Sequence, residues 1–353
     1  MKKKVIALIL AGIIVLSACG CDKSSNAELE GTTQNNVNTE TEVIQESNNS
    51  LESSVNSETE LATDKNKTEF SFADLKNIQF VFSSGAGAWS TELYIHEDGS
   101  FEGIYHDSDM GSTGEGYPNG TRYFCDFNGQ FAKPVKVNDY TYSLQIEEVQ
   151  YANEVGTEEI LDEVLYVYSD AYGLQGTEEL FIYLPESPIE ELPEGFLNWV
   201  RNSYYYGMEG KVMTELPGYG LYNKAEECGF SSYNIKESME TMVAFTEEMA
   251  AEVEYSIQND DLSQTDYNFK ARDLYDMWDA DLNTIWGNLN LVLDAETMEQ
   301  LLSEQRAWIT WKEDEVEKAG ADYEGGSMQP MVKHLKAAEL TKARVYALME
   351  YFE

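Results

Sequence analysis

The chain reads as α+β: an antiparallel β-barrel or sandwich module followed by a helical bundle of about four helices. Three observations predict this. From Phe70 to about residue 233, apolar residues recur at every second position in short runs rich in Tyr, Phe and Val. That is the pattern of strands with one buried face. From Asn234 onward the period turns helical, with apolar residues three and four apart. Both changes of texture are abrupt. The 353 residues therefore divide into two N-terminal segments (1–18 and 19–69), a β module (70–233) and a helical module (234–353).

Lys2, Lys3 and Lys4 precede an apolar run that is too short to span a bilayer comfortably, which is the form of an export signal. The run ends in Leu16-Ser17-Ala18-Cys19, which resembles a bacterial lipobox. The resemblance implies that Cys19 carries diacylglycerol, and two acyl chains suffice for stable anchoring in the cell membrane, on its extracytoplasmic face. Residues 22–69 contain no aromatic side chain and are dominated by Asn, Ser, Thr and Glu. Such a segment cannot bury enough apolar surface to offset chain entropy. It is expected to be a disordered tether, holding the body roughly 35–40 Å from the lipid.

In the β module, "IQFVFS" (Ile78–Ser83), "TELYIH" (91–96) and "FEGIYH" (101–106) alternate, the last two joined by the tight turn Glu97-Asp98-Gly99. "RYFCDF" (122–127) and "QFAKPVKV" (130–137) are expected to form a hairpin across Asn128-Gly129. "YTYSLQIEEV" (140–149), "VLYVYS" (164–169) and "LFIYL" (180–184) complete about eight strands, and a short helix is expected at residues 196–202. "HDSDMGSTGEG" (106–116) gathers carboxylates but lacks the spacing and following helix of an EF-hand, and reads better as a polar loop. Cys125 and Cys228 are candidates for a disulfide, since export permits one. Two buried free thiols fit the sequence as well.

Four helices are expected at 235–257, 265–293, 295–319 and 331–352. Asp294 suits an N-cap and Pro330 a helix start. Apolar stripes run through Met239, Val243 and Ala250, then through Leu274, Trp278, Leu282 and Ile285, and finally through Ala338, Thr341 and Val345. The bland reading of these stripes is core.

The helical half also carries an ordered set of motifs. Trp278 precedes Asp281-Leu282-Asn283; Leu301 stands four before Gln305-Arg306-x-Trp308; Gly325-Gly326-Ser327 follows; Thr341-x-x-Arg344 closes the set. This order and spacing resembles the lysozyme inhibitor LprI-type N-terminal domain, over about residues 264–352. The resemblance implies a small helical module of exported bacterial proteins, with lysozyme as a possible partner. It departs from the family pattern: members commonly carry cysteines in these helices, and this chain has none after Cys228, with Val316 about where one would follow.

At 100° per residue, Gln305 lies near the centre of the apolar face of its helix, with Leu301, Trp308, Ile309 and Val316. A buried amide needs partners, and Asp281 is the expected acceptor. Arg306 and Arg344 are expected to pair with Asp279 or Asp281, so that the polar motif residues fix helix register. Trp311 falls about 120° from the stripe centre. The β module is its expected cover; otherwise, beside Glu313, Asp314 and Glu315, it is a partner-binding anchor with an acidic rim.

The formal net charge is −42 and no basic patch exists beyond the three N-terminal lysines, so nucleic acid is an unsuitable partner. His96, His106 and His334 have no metal spacing, and no nucleophile or phosphate-binding motif is present. No catalysis, metal or cofactor is expected. Two functions remain open: binding and inhibition of lysozyme or a similar basic muralytic protein, or an envelope binding or scaffolding role in which the β module holds a small ligand, glycan or protein.

Overall fold

The computed structural model describes residues 69–84, 87–205 and 213–352. The expected signal, Cys19 and nearly all of the tether lie outside the described residues. In chain order the elements are β1 (Ile78–Ser83), β2 (Trp89–Ile95), β3 (Ser100–Asp109), β4 (Thr121–Phe131), β5 (Val135–Lys136), β6 (Thr141–Tyr151), β7 (Glu158–Leu161), β8 (Val164–Tyr168), β9 (Glu179–Tyr183), α1 (Glu194–Tyr205), β10 (Gly220–Asn223) and β11 (Cys228–Asn234). The helices α2 (Ile235–Asn259), α3 (Gln264–Val292), α4 (Ala295–Gly320) and α5 (Gln329–Met349) follow. The protein is thus α+β, with the order the periodicities predict. Among the described residues no helix is long and apolar enough to cross a membrane.

Eight strands close into a ring in the order β6-β9-β10-β11-β1-β2-β3-β4, and β4 pairs back to β6. Every pairing around this ring is antiparallel. Closure removes the open edges that a sheet would otherwise present. The β7–β8 hairpin lies outside the ring, with β8 parallel to the first residues of β4. Inward-facing residues alternate along each strand as the period predicts: Phe80 and Phe82, Leu93 and Ile95, Phe127 and Phe131, Leu180 and Ile182, with Phe230. Aromatic rings fill the centre, with Phe101 and Phe131 4.5 Å apart and Phe82 and Phe230 5.2 Å apart. Rings packed in this way occupy the centre of the barrel, which counts against a small ligand held there.

The expected hairpin across Asn128-Gly129 does not form. Both residues sit inside β4, opposite Glu102 and Phe101 on one side and Gln150 and Val149 on the other. The glycine serves close approach rather than a turn. A Cβ on Gly129 would lie 2.2 Å from the Glu148 carbonyl oxygen and 2.4 Å from the Phe101 ring. The expected turn at Glu97-Asp98-Gly99 does form: Gly99 has φ +83°, and the His96 amide donates to the Ser100 carbonyl at 2.8 Å.

Cys125 and Cys228, named as a disulfide candidate, are both free, buried thiols. They face the barrel interior from β4 and β11, which lie four places apart in the sheet order. Burial pushes the Cys125 thiol up to about 12 and the Cys228 thiol to about 11, so both behave as small apolar groups.

The helical module is seated on the barrel wall. No loop separates β11 from α2: Asn234 ends the strand and its side chain caps the helix, accepting from the Glu237 amide at 3.1 Å. Asn77, at φ +60° before β1, accepts from the Ile235 amide at 2.7 Å and donates its side-chain amide to the Phe352 carbonyl at 3.1 Å. Tyr94, on the outer face of β2, is buried in the helical core with Ile235, Trp278 and Phe352. The helical bounds fall within a few residues of expectation, and Asp294 caps α4 by accepting from Glu296 and Thr297.

Gly129→Ala is expected to destabilise the protein by about 3 kcal/mol, because overpacking against a backbone oxygen cannot relax by rotamer change. Urea denaturation followed by circular dichroism measures this; an unchanged midpoint would show that barrel closure does not need the glycine.

Candidate functional site

The motif residues gather where α3, α4 and α5 meet. Helix α5 packs chiefly on α3 and α4 packs on α5. Near the start of α3 the Asn268 amide donates to the Ser327 carbonyl at 3.1 Å, and further on Tyr275 stacks on His334. The two helices therefore run alongside each other in the same direction, and α4 returns the chain between them. The Gly325-Gly326-Ser327 motif makes that return: Gly325 takes φ +69°, and the Gly326 amide donates to the Tyr323 carbonyl at 2.9 Å.

Gln305 is buried, as its place on the stripe predicts, but its partner is Arg344 rather than Asp281. The Arg344 Nε donates to Gln305 Oε1 at 2.8 Å. The guanidinium lies 5.9 Å from the centre of the Trp308 ring, and the Lys312 ammonium lies 5.1 Å from the same ring. Lys312 also donates to the Tyr275 hydroxyl at 3.3 Å; Tyr275 donates to Asp279 at 3.0 Å; Asn283 donates to the same carboxylate at 3.2 Å. One polar chain thus crosses all three helices: Asn283, Asp279, Tyr275, Lys312, Trp308, Arg344, Gln305. Burial first, then the Asp279 charge, pushes the Tyr275 hydroxyl up to about 12, so it stays protonated as a donor. Sequence reasoning missed Tyr275 and Lys312; the four-residue step from Trp308 to Lys312 was the available signal.

Asp281 faces the other way. It is 5 % exposed and accepts from Thr246 of α2, because α4 packs on α5 and does not reach this side of α3. Arg306 is exposed and makes no pair with Asp279 or Asp281, since its side of α4 faces solvent. Trp278, Leu282 and Thr341 are buried core residues, and Lys342 lies 5.0 Å from the centre of the Trp278 ring while pairing with Glu247 at 2.8 Å. Beside them a surface groove of about 420 Å³ runs between α2, α3 and α5, with Leu335 and Ile257 on its walls and Glu254, Glu339 and Lys342 at its rim.

Trp311 is 48 % exposed, so the β module does not cover it. Glu304, Ala307, Asp314 and Glu315 lie within two turns of it on the same side of α4. A large indole left in water on an acidic helix face is the feature of this module that core packing leaves unexplained.

Gln305→Leu should cost about 1–3 kcal/mol by stranding a buried guanidinium. Adding Arg344→Met should recover part of that loss, and a double-mutant cycle in urea that showed simple additivity would remove the register lock. Asp281 gives a pH signature. Burial, only partly offset by the Thr246 bond, raises its carboxyl from 3.8 to about 6. The folded state therefore holds the proton more tightly, and the associated stability is full at low pH and lost as pH rises through about 6. Asp281→Asn is expected to flatten the stability difference between pH 5 and pH 7.5; an unaltered pH dependence would assign it elsewhere.

Comparison with known proteins bears on these helices. A family model described as lysozyme inhibitor LprI matches residues 257–348. An uncharacterized protein of Rhizobium meliloti (strain 1021) is 33% identical over 105 residues, covering 26% of this chain and 76% of that protein. No solved structure matches the chain. The sequence resemblance was to an N-terminal domain, whereas in this chain the match follows the barrel and occupies the C-terminal helices. Residues 257–348, from the end of α2 to the end of α5, are thus similar to the lysozyme inhibitor LprI family.

Proposed function

We propose that the protein is a non-catalytic envelope lipoprotein, anchored through Cys19 on the extracytoplasmic face of the cell membrane, whose helical module binds and inhibits lysozyme or a similar basic muralytic protein. The family match over residues 257–348 carries this reading. Two further observations support it. The net charge of −42 favours encounter with a basic partner by electrostatic steering, which salt weakens. The half-exposed Trp311, rimmed by carboxylates, has the form of an interface anchor: an aromatic side chain that a partner desolvates.

Titration of the purified chain against lysozyme activity on cell-wall substrate tests the reading. Inhibition is expected at low ionic strength and should weaken with added salt. Trp311→Ser should lower affinity by about 10-fold or more without changing the unfolding midpoint. Absence of both binding and inhibition at low salt, with the protein in large excess, would sink the proposal.

A further inference from the structure

At the rim of the barrel a carboxylate stands among rings that pack on the core, Trp89 against Phe82 at 4.9 Å among them, and packing does not explain the charge. On the interior face, Trp89 of β2 lies opposite Asp107 of β3, and Asp107 lies opposite Tyr123 of β4. Partners of this kind hold their Cβ atoms about 4.5–5.5 Å apart, so a carboxylate stands between two aromatic side chains. Two further rings adjoin the row. Tyr172 packs 5.2 Å from Trp89 and 5.7 Å from Tyr105, and the Thr91 hydroxyl fixes its backbone by donating to the Tyr172 carbonyl at 2.6 Å. Trp89 and Asp107 are half-buried, while Tyr123 and Tyr172 are 37 % and 36 % exposed, so the niche is open to solvent. The Asp107 carboxylate has no hydrogen-bond or ion-pair partner among the described residues.

Closing a barrel end requires apolar rings, and it does not require a charge among them. Aromatic faces carry negative potential, and a carboxylate held beside them is partly stripped of water, which is unfavourable unless a cation completes the arrangement. Rings and carboxylate together favour a positive group. A single carboxylate on aromatic walls does not offer the several oxygen ligands that a metal ion takes. It does suit a large, weakly hydrated organic cation, attracted both by the charge and by the ring faces. We propose that this rim niche, built from Trp89, Tyr105, Asp107, Tyr123 and Tyr172, binds a quaternary ammonium group. A soluble choline-type compound and a phosphatidylcholine headgroup share that chemistry.

The test is titration of the full chain with choline and with tetramethylammonium at constant ionic strength, read by calorimetry and by aromatic ring shifts in NMR. Saturable binding is expected, and Asp107→Asn should weaken it at least about 5-fold. Tyr123→Ala, at an exposed position, serves as a second variant and should weaken it similarly; circular dichroism checks that each variant folds. Sedimentation with vesicles of phosphatidylcholine, against vesicles of phosphatidylglycerol, separates the sources. Selective sedimentation lost in Asp107→Asn assigns the lipid headgroup, and binding of soluble choline alone assigns a small molecule. Non-saturable binding, equal affinity in both variants and the parent chain, equal competition by sodium ion, or a preference for neutral N-acetylglucosamine oligomers would each overturn the proposal.

Discussion

The pairing of β4 with β6 is the constraint on which the rest of the molecule rests. It turns an open sheet into a ring, and it works only where two backbones and the Phe101 ring converge on a residue without a side chain, Gly129. A closed ring has a defined inside, and inward-facing rings then pack at distances of 4.5–6.5 Å. It also has a rigid outside. Tyr94 and Asn77 use that wall to seat the helices, and the barrel therefore acts as a platform for the helical module as well as a core of its own.

Within the helical module, polar residues do the work of register that apolar stripes leave undetermined. Leu and Val faces tolerate sliding by a turn; a guanidinium bonded to one particular amide does not. Arg344 therefore ties α4 to α5 at a single position, and Lys312 and Tyr275 extend the tie to α3. The family match begins at residue 257, near the end of α2, so it covers the three-helix unit α3–α5. Helix α2 continues from β11 without a loop but packs on α3, with Met239, Val243 and Ala250 in the helical core. The buried motif residue Asp281 thus takes its hydrogen bond from Thr246, a residue outside the matched segment.

Much of this was legible in the sequence. Helix bounds follow from periodicity and from local capping chemistry, as at Asp294, because both act over a few residues. The β1 limits and the turn at Gly99 were legible for the same reason. What escaped depends on distant neighbours. Asn128-Gly129 has turn composition, but the space around Gly129 is set by Phe101 and Glu148. The β7–β8 hairpin turns at Asp162 and Glu163, at φ +48° and +65°, with no glycine to announce it. The direction of Asp281 and the pairing of Gln305 depend on which helix α4 lies against, and a single stripe cannot report that. Trp311 was marked by its position off the stripe, while Asp107 looked like one acidic residue among many until the strand register set it between two rings.

The bond from Asn77 to the Phe352 carbonyl has a consequence for cooperativity. Phe352, the last described residue, is held against Asn77, the residue just before β1. The end of the helical module is therefore pinned, in a buried contact, to the approach to the first barrel strand. Fraying of the last helical turn would thus be felt in the barrel wall, so the two modules are expected to unfold as one cooperative unit.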